Sequence, residues 1–191
     1  MRLFIAIDID EETRKGLGDL QQQLQSKADI KKSDVKWVRP ENIHLTLKFL
    51  GEVKDEKVAD VCRIVKEVSG RHKNFEVDVK TVGHFGGRAA RILWVGAGEG
   101  NEQLQQLQKD IDRQLSEAGW PKETRRFAGH LTLCRIRNPA AGIKLAQVSE
   151  DYKEFKIGTI AADSVVVYQS ELTPQGPIYA VLDNCKLLDS G

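Results

Sequence analysis

Cysteine is scarce and odd in number. Cys62, Cys134 and Cys185 are the only three, and no two stand in a C-x-x-C spacing, which argues against a disulfide framework and against a zinc site and fits a reducing cytoplasm. An excess of one charge is missing too: 29 Lys and Arg against 28 Asp and Glu leave a formal net charge of +1, so no global field marks a nucleic-acid or membrane binder. An anionic ligand would have to be held locally. Long apolar runs are absent, because the opening stretch Met1 to Ile9 is interrupted by Asp8 and no later run reaches spanning length. The chain also carries no Pro/Gly/Ser-rich linker. Its 191 residues, 40% apolar and 30% charged, therefore predict one globular domain over 1–191 with a full core.

Histidine is rare as well, with four residues, yet two of them share identical surroundings: His44-Leu45-Thr46-Leu47 recurs as His130-Leu131-Thr132-Leu133. On average residue usage a given His is followed by Leu-Thr-Leu roughly once in two thousand times. The pair reads as a repeated chemical unit. The two tetrads lie nearly half a chain length apart, which predicts two pseudo-equivalent lobes, although little else repeats.

The remaining pattern is mixed α/β. Asp10 followed by Glu11 and Glu12 opens a helix running to about Ser26, with Leu17, Leu20 and Leu24 at helical spacing. Val58, Val61, Val65 and Val68 repeat that stripe after an Asp55 cap, and Leu104, Leu107, Ile111 and Leu115 after Asn101. Strands are predicted at Arg2 to Ile9, Ile43 to Leu50, Phe75 to Val82, Arg91 to Val95, His130 to Ile136, Tyr152 to Ile160, Ser164 to Tyr168 and Ile178 to Leu182.

Both tetrads fall on strands, where side chains alternate. His44 and Thr46 then point to one face and Leu45 and Leu47 to the other, and the second tetrad does the same. With the leucines buried, two imidazoles and two hydroxyls line a shared groove. Two imidazoles form a general acid and base pair near neutrality, and threonine hydroxyls suit phosphoryl oxygens. That set performs phosphodiester chemistry with no metal and no cofactor. Strict alternation also places Lys48 and Arg126 on the histidine faces as phosphate-neutralising cations, although the commoner reading of each is a solvated strand-end charge.

Several other features have a plain structural reading beside a functional one. The segment Gly83-His84-Phe85-Gly86-Gly87-Arg88 is read as a turn with a core-facing Phe rather than a nucleotide-stacking loop, and Trp37, Trp94 and Trp120 as packing residues. Gly96-Ala97-Gly98-Glu99-Gly100 is a weak phosphate-loop signal without the Lys-Ser/Thr ending.

The paired His-x-Thr-x motifs resemble the signature of the two-histidine (2H) phosphoesterase superfamily, and the chain is most similar to its RNA 2′,3′-cyclic phosphodiesterase branch, once called 2′-5′ RNA ligases. The segments that carry the likeness are Arg2-Leu-Phe-Ile-Ala-Ile-Asp, Arg39-Pro-Glu-Asn-Ile-His-Leu-Thr-Leu-Lys-Phe-Leu-Gly-Glu, Arg91-Ile-Leu-Trp-Val-Gly, Phe127-Ala-Gly-His-Leu-Thr-Leu-Cys-Arg and the ending from Tyr168 to Tyr179. Gly129 stands where members usually carry Pro. The resemblance implies an α+β bilobal fold, with two pseudo-symmetric antiparallel sheets facing a central groove and helices outside. It implies an enzyme that opens an RNA-terminal 2′,3′-cyclic phosphate, or a small cyclic nucleotide, to a 2′-phosphate; a monomer in the cytoplasm is expected. His44 corresponds to the proton donor, His130 to the acceptor, and Arg135 to a phosphate contact. Because alternation from His130 aims Arg135 away from the groove, that role requires a bulge or a strand end near Cys134. Chemistry on 2′-5′ linkages and a non-catalytic RNA-end binding module are the two rival readings.

Overall fold

The computed structural model describes residues 1–174 and 176–190. In chain order the elements are β1 (Arg2–Ile7), α1 (Glu11–Ala28), β2 (Val35–Trp37), β3 (Leu45–Glu52), α2 (Asp55–Ser69), β4 (Phe75–Phe85), β5 (Ile92–Ala97), α3 (Asn101–Glu117), β6 (His130–Ile136), α4 (Pro139–Ser149), β7 (Lys156–Ala162), β8 (Ser164–Thr173) and β9 (Gly176–Lys186). The strands form two antiparallel sheets, one ordered β3-β1-β8-β9 and the other β2-β6-β5-β4-β7. Among the described residues, no helix is long and apolar enough to cross a membrane.

Local chemistry accounts for the helix ends. Asp10 caps α1 by accepting from the Thr13 backbone N–H at 2.7 Å and from the Thr13 hydroxyl at 2.9 Å, and Asp29 ends it in a left-handed conformation. The predicted cap at Asp55 is instead the first residue of α2, where its carboxylate still favours the positive end of the helix dipole. Leu17, Leu20 and Leu24, Val61, Val65 and Val68, and Leu104, Leu107, Ile111 and Leu115 are all fully buried, so the three predicted stripes are the faces that the helices turn inward.

The sheets divide their faces between core and groove. Along β1, Leu3, Ile5 and Ile7 join the main core, while Phe4 and Ala6 point the opposite way and pack with Val166 and Tyr168 in a smaller cluster that Tyr179 borders. The two sheets approach each other along β3 and β6. Within the second sheet the residue after β2 is tied to β6 and to α1: Val38 N–H donates to the Leu133 carbonyl at 2.9 Å, and Gln21 Nε2 on α1 donates to the carbonyls of both Val38 and Leu133 at 2.8 and 2.9 Å.

Two expectations fail here for physical reasons. The predicted strand from Tyr152 to Ile160 begins only at Lys156, because Tyr152 belongs to a single 3-10 turn over Glu150–Tyr152. Helix α4 was not expected at all. Its inward positions Ala141, Gly142, Leu145 and Ala146 are mostly small, so it lacks a bulky stripe, and it depends on Asn138 capping the Ala140 N–H at 2.9 Å.

The glycine run before α3 has a structural cause. Gly100 sits at φ +84, and a Cβ there would lie 1.9 Å from the Glu76 carbonyl oxygen. Gly100→Ala is therefore expected to cost more than about 2 kcal/mol in a denaturant titration, whereas Gly51→Ala, at φ +68 but with nothing within 4 Å, costs about 1 kcal/mol.

Candidate active site

The tetrads fold as alternation requires. Leu45, Leu47, Leu131 and Leu133 are at most 3% exposed, while His44, Thr46, His130 and Thr132 remain partly open. Immediately afterwards both strands break alternation at the same place. In the β1–β3 register Ala6 opposes Thr46 but Ile5 opposes Lys48, leaving Leu47 unpaired; in the β5–β6 register Trp94 opposes Thr132 but Leu93 opposes Cys134, leaving Leu133 unpaired. A bulge of one residue reverses the parity of everything beyond it. Lys48 and Cys134 accordingly turn inward with the leucines, and Phe49 and Arg135 come out on the histidine faces. The bulge that Arg135 needs is thus present.

The same bulge removes Lys48 from the groove. Its ammonium lies 2.5 Å from Asp112 Oδ1 and donates to the Pro121 carbonyl at 2.8 Å, with side chains 5% and 9% exposed. Lys48 is a buried structural cation, not a phosphate contact. Arg126 is likewise misplaced by alternation, since residues 118–129 form no strand and the parity of β6 does not extend to them. It is an exposed side chain on that connection.

What the two strands build is a groove of about 540 Å³. Thr46, Phe49, Tyr179 and His44 just before β3 line it from one sheet, and Trp37, Thr132 and Arg135 from the other. His130 lies one alternation beyond Thr132 on the same face of β6. Its ring stands edge-on to Phe85 at 5.2 Å and 6.3 Å from Trp94. Phe85, expected in the core, closes the end of β4 and is 40% exposed against the histidine. Trp94 covers Gly83 so closely that a Cβ there would meet its ring at 2.3 Å.

The two imidazoles are held differently. His130 Nδ1 lies 2.7 Å from the Ala128 carbonyl oxygen. A carbonyl only accepts, so Nδ1 carries the hydrogen and Nε2 of the neutral ring is its basic atom. His44 is held by rings: it stacks on Phe4 at 4.7 Å, meets Tyr179 edge-on at 5.2 Å, and lies 5.9 Å from Tyr168. Burial pushes its pKa down to about 4, an effect that Asp8 opposes and Arg14 reinforces. Arg14 ion-pairs with Asp8 and donates to the Glu41 carbonyl at 2.8 Å, which fixes the turn leading into His44. Burial, with Asp8 alongside, pushes the Tyr168 phenol up to about 12. Tyr179 is raised by burial and partly pulled back by Arg135 and Arg2.

The depressed His44 pKa has a sign. As pH falls from 6.5 towards 4, the unfolded chain takes up a proton that the folded His44 refuses, so stability declines across that window. Thermal melts of the wild type are expected to lose more between pH 6.5 and 4 than melts of His44→Phe; parallel curves would contradict this. An NMR titration of the imidazole should place its midpoint near 4.

Phe4, Tyr168 and Tyr179 were missed as site residues. The signal was available for Phe4, which alternates with the core residues Leu3 and Ile5 and so has to face the other side of its sheet. Phe49 was hidden by the bulge.

A family model described as LigT like Phosphoesterase matches residues 7–94 and again 95–179, one tetrad in each segment. The RNA 2′,3′-cyclic phosphodiesterase of Methanocaldococcus jannaschii is 36% identical over 183 residues, covering 95% of this chain and 98% of that protein. Among solved structures, a Thermus thermophilus protein superposes with a TM-score of 0.81 at 26% identity over 100% of both chains. E. coli LigT complexed with 3′-AMP does so with a TM-score of 0.79 at 25% identity over 97% of both. Matched end to end in sequence and in fold, with both tetrads inside the matched segments, the chain belongs to the LigT-like phosphoesterase family.

Proposed function

We propose that the protein hydrolyses the 2′,3′-cyclic phosphate at the 3′ end of an RNA strand to a 2′-phosphomonoester by two-histidine acid-base catalysis without a metal ion. The observation that supports this reading is the duplicated tetrad-plus-bulge, which brings His44, both threonine hydroxyls and the Arg135 guanidinium to one groove and leaves His130 two residues before Thr132 on the same face of β6. The relative from M. jannaschii bears the name of this activity, and E. coli LigT holds 3′-AMP.

The chemistry assigns each group a task. Thr46, Thr132 and Arg135 hold the non-bridging phosphoryl oxygens, where a guanidinium offers two parallel donors. His130 Nε2 takes a proton from water as the water oxygen bonds to phosphorus. The bond from phosphorus to the 3′ oxygen breaks, and His44 supplies the proton that makes that oxygen a hydroxyl. His44 is neutral in an empty groove near neutral pH, and an anionic phosphate beside it favours its charged form, so the substrate itself loads the donor.

The test is incubation with an oligoribonucleotide ending in a 2′,3′-cyclic phosphate in the presence of a chelator, with the product identified by phosphorus NMR. A 2′-phosphomonoester on a strand of unchanged length is the expected product. A changed strand length would assign the site to 2′-5′ linkages, and an untouched strand that still binds would make the protein an RNA-end binding module.

A further inference from the structure

A proton donor needs a negative partner, and the groove does not supply one to His44. Among the described residues no hydrogen bond or ion pair reaches its ring, which Phe4, Tyr168 and Tyr179 hold by contact alone. Aromatic rings fix the plane of an imidazole and attract its charged form only weakly. On the groove side the charged groups are Arg2, Lys36, Arg39 and Arg135, and no carboxylate lines that space among the described residues. Cations alone disfavour an imidazolium.

A second pocket, of about 380 Å³, adjoins the same ring. His44 and Tyr179 line both spaces, while Asp8, Arg14, Glu41 and Tyr168 line only the second. Its two carboxylates are held differently. The β1–β3 ladder ends where Ile7 opposes Leu45, and one step further along each chain brings Asp8 beside His44. By alternation Asp8 shares the face of Phe4 and Ala6, the face on which the imidazole stacks. Its Oδ1 is tied down by the Ile9 N–H at 2.9 Å and by the Arg14 guanidinium. Arg14 also donates to the Pro40, Glu41 and Ile43 carbonyls at 3.3, 2.8 and 3.5 Å, so one guanidinium fastens the carboxylate to the turn that carries His44. Asp8 favours the charged ring more strongly than Arg14 opposes it. The Glu41 side chain is exposed and does not act on the ring.

Resting on the activity proposed above, we infer that Asp8 is a positioning residue for the proton donor: its carboxylate faces the imidazolium of His44 from the pocket beside the groove, and Arg14 holds it there. The substrate phosphate completes what Asp8 begins, with one anion on either side of the ring. Asp8 itself passes no proton to the substrate.

The experiment follows Asp8→Asn, which keeps the shape and an acceptor for Arg14 while removing the charge. On an oligoribonucleotide ending in a 2′,3′-cyclic phosphate, the alkaline limb of log kcat, which reports the enzyme with substrate bound, is expected to move down by about one pH unit, so that kcat above the limb falls about tenfold. The acid limb keeps its midpoint, because it belongs to His130. Asp8→Glu should restore at least about half of the displacement, and Glu41→Gln, which removes an exposed carboxylate from the same pocket, should move the limb by less than about 0.3 pH unit. A second readout needs no turnover: with a nucleoside 2′-monophosphate bound, an NMR titration should place the His44 midpoint lower in Asp8→Asn by about one pH unit. A loss of kcat that is equal at every pH, an unmoved titration, or an equal displacement in Glu41→Gln would overturn the role of Asp8. A titration that moves in a protein without turnover overturns the activity and leaves the positioning standing, whereas turnover with the limb and the titration unmoved overturns the positioning alone.

Discussion

Alanine at His130 is expected to lower kcat on a cyclic-phosphate-ended oligoribonucleotide by about 10²–10⁴-fold, and alanine at His44 by a similar amount. The two losses should not add, because an acid and a base that serve one displacement act as a unit; the double variant is expected within about tenfold of the worse single one. The pH profile separates their tasks. An acceptor must start deprotonated, so removing His130 should erase the acid limb of log kcat/KM. A donor must start protonated, so removing His44 should erase the alkaline limb. Exchange of the two limbs between the variants would reverse the assignment while leaving the two-histidine mechanism intact. Turnover undiminished in either alanine variant would exclude that histidine from the reaction. Thr46→Ala and Thr132→Ala should each cost less, since other donors still reach the phosphate.

Lys48→Met is expected to destabilise the fold by about 3–5 kcal/mol, the cost typical of leaving one member of a buried ion pair alone. The Asp112 carboxylate would keep only the Glu123 N–H at 3.0 Å, inside a site where its side chain is 9% exposed, and the Pro121 carbonyl would lose its donor. Removing both charges, as in Lys48→Met/Asp112→Leu, should recover most of the loss, because what is costly is the unpaired charge rather than the absence of the pair. Denaturant titrations read both. A single variant within about 0.5 kcal/mol of wild type would show that the pair contributes little to stability.

How much of this was legible in the sequence follows from where local rules hold. The helical stripes of α1, α2 and α3 and the inward leucines of the tetrads are set by periodicity, and burial follows it residue by residue. The groove faces of His44, Thr46, His130 and Thr132 follow from the same rule. Alternation fails at Arg126 because no strand reaches it, and within the two strands it fails where a bulge intervenes, which is decided by the partner strand: Leu47 is skipped because of how β1 lies against β3, which the tetrad itself does not encode. That single event reverses the reading of Lys48 and brings Phe49 to the groove, and its counterpart at Leu133 turns Arg135 into it. A clue to the buried pair was nevertheless present. Gln108 and Asp112 stand on the apolar stripe of α3, and a carboxylate there needs a partner. Helix α4 was beyond reach because its small residues carry little amphipathic signal, and its Gly142 is fixed by contact with the Ala90 backbone, which only the tertiary fold supplies.

The central claim is that two rings act on one phosphorus from facing strands, and a structure with a nucleoside 2′-phosphate bound measures it directly. His130 Nε2 and a nitrogen of His44 are each expected within about 2.6–3.2 Å of a phosphate or ribose oxygen of the same reacting group. A phosphate bound in the groove that touches only one of the two rings, with the other more than one water molecule away, would contradict it.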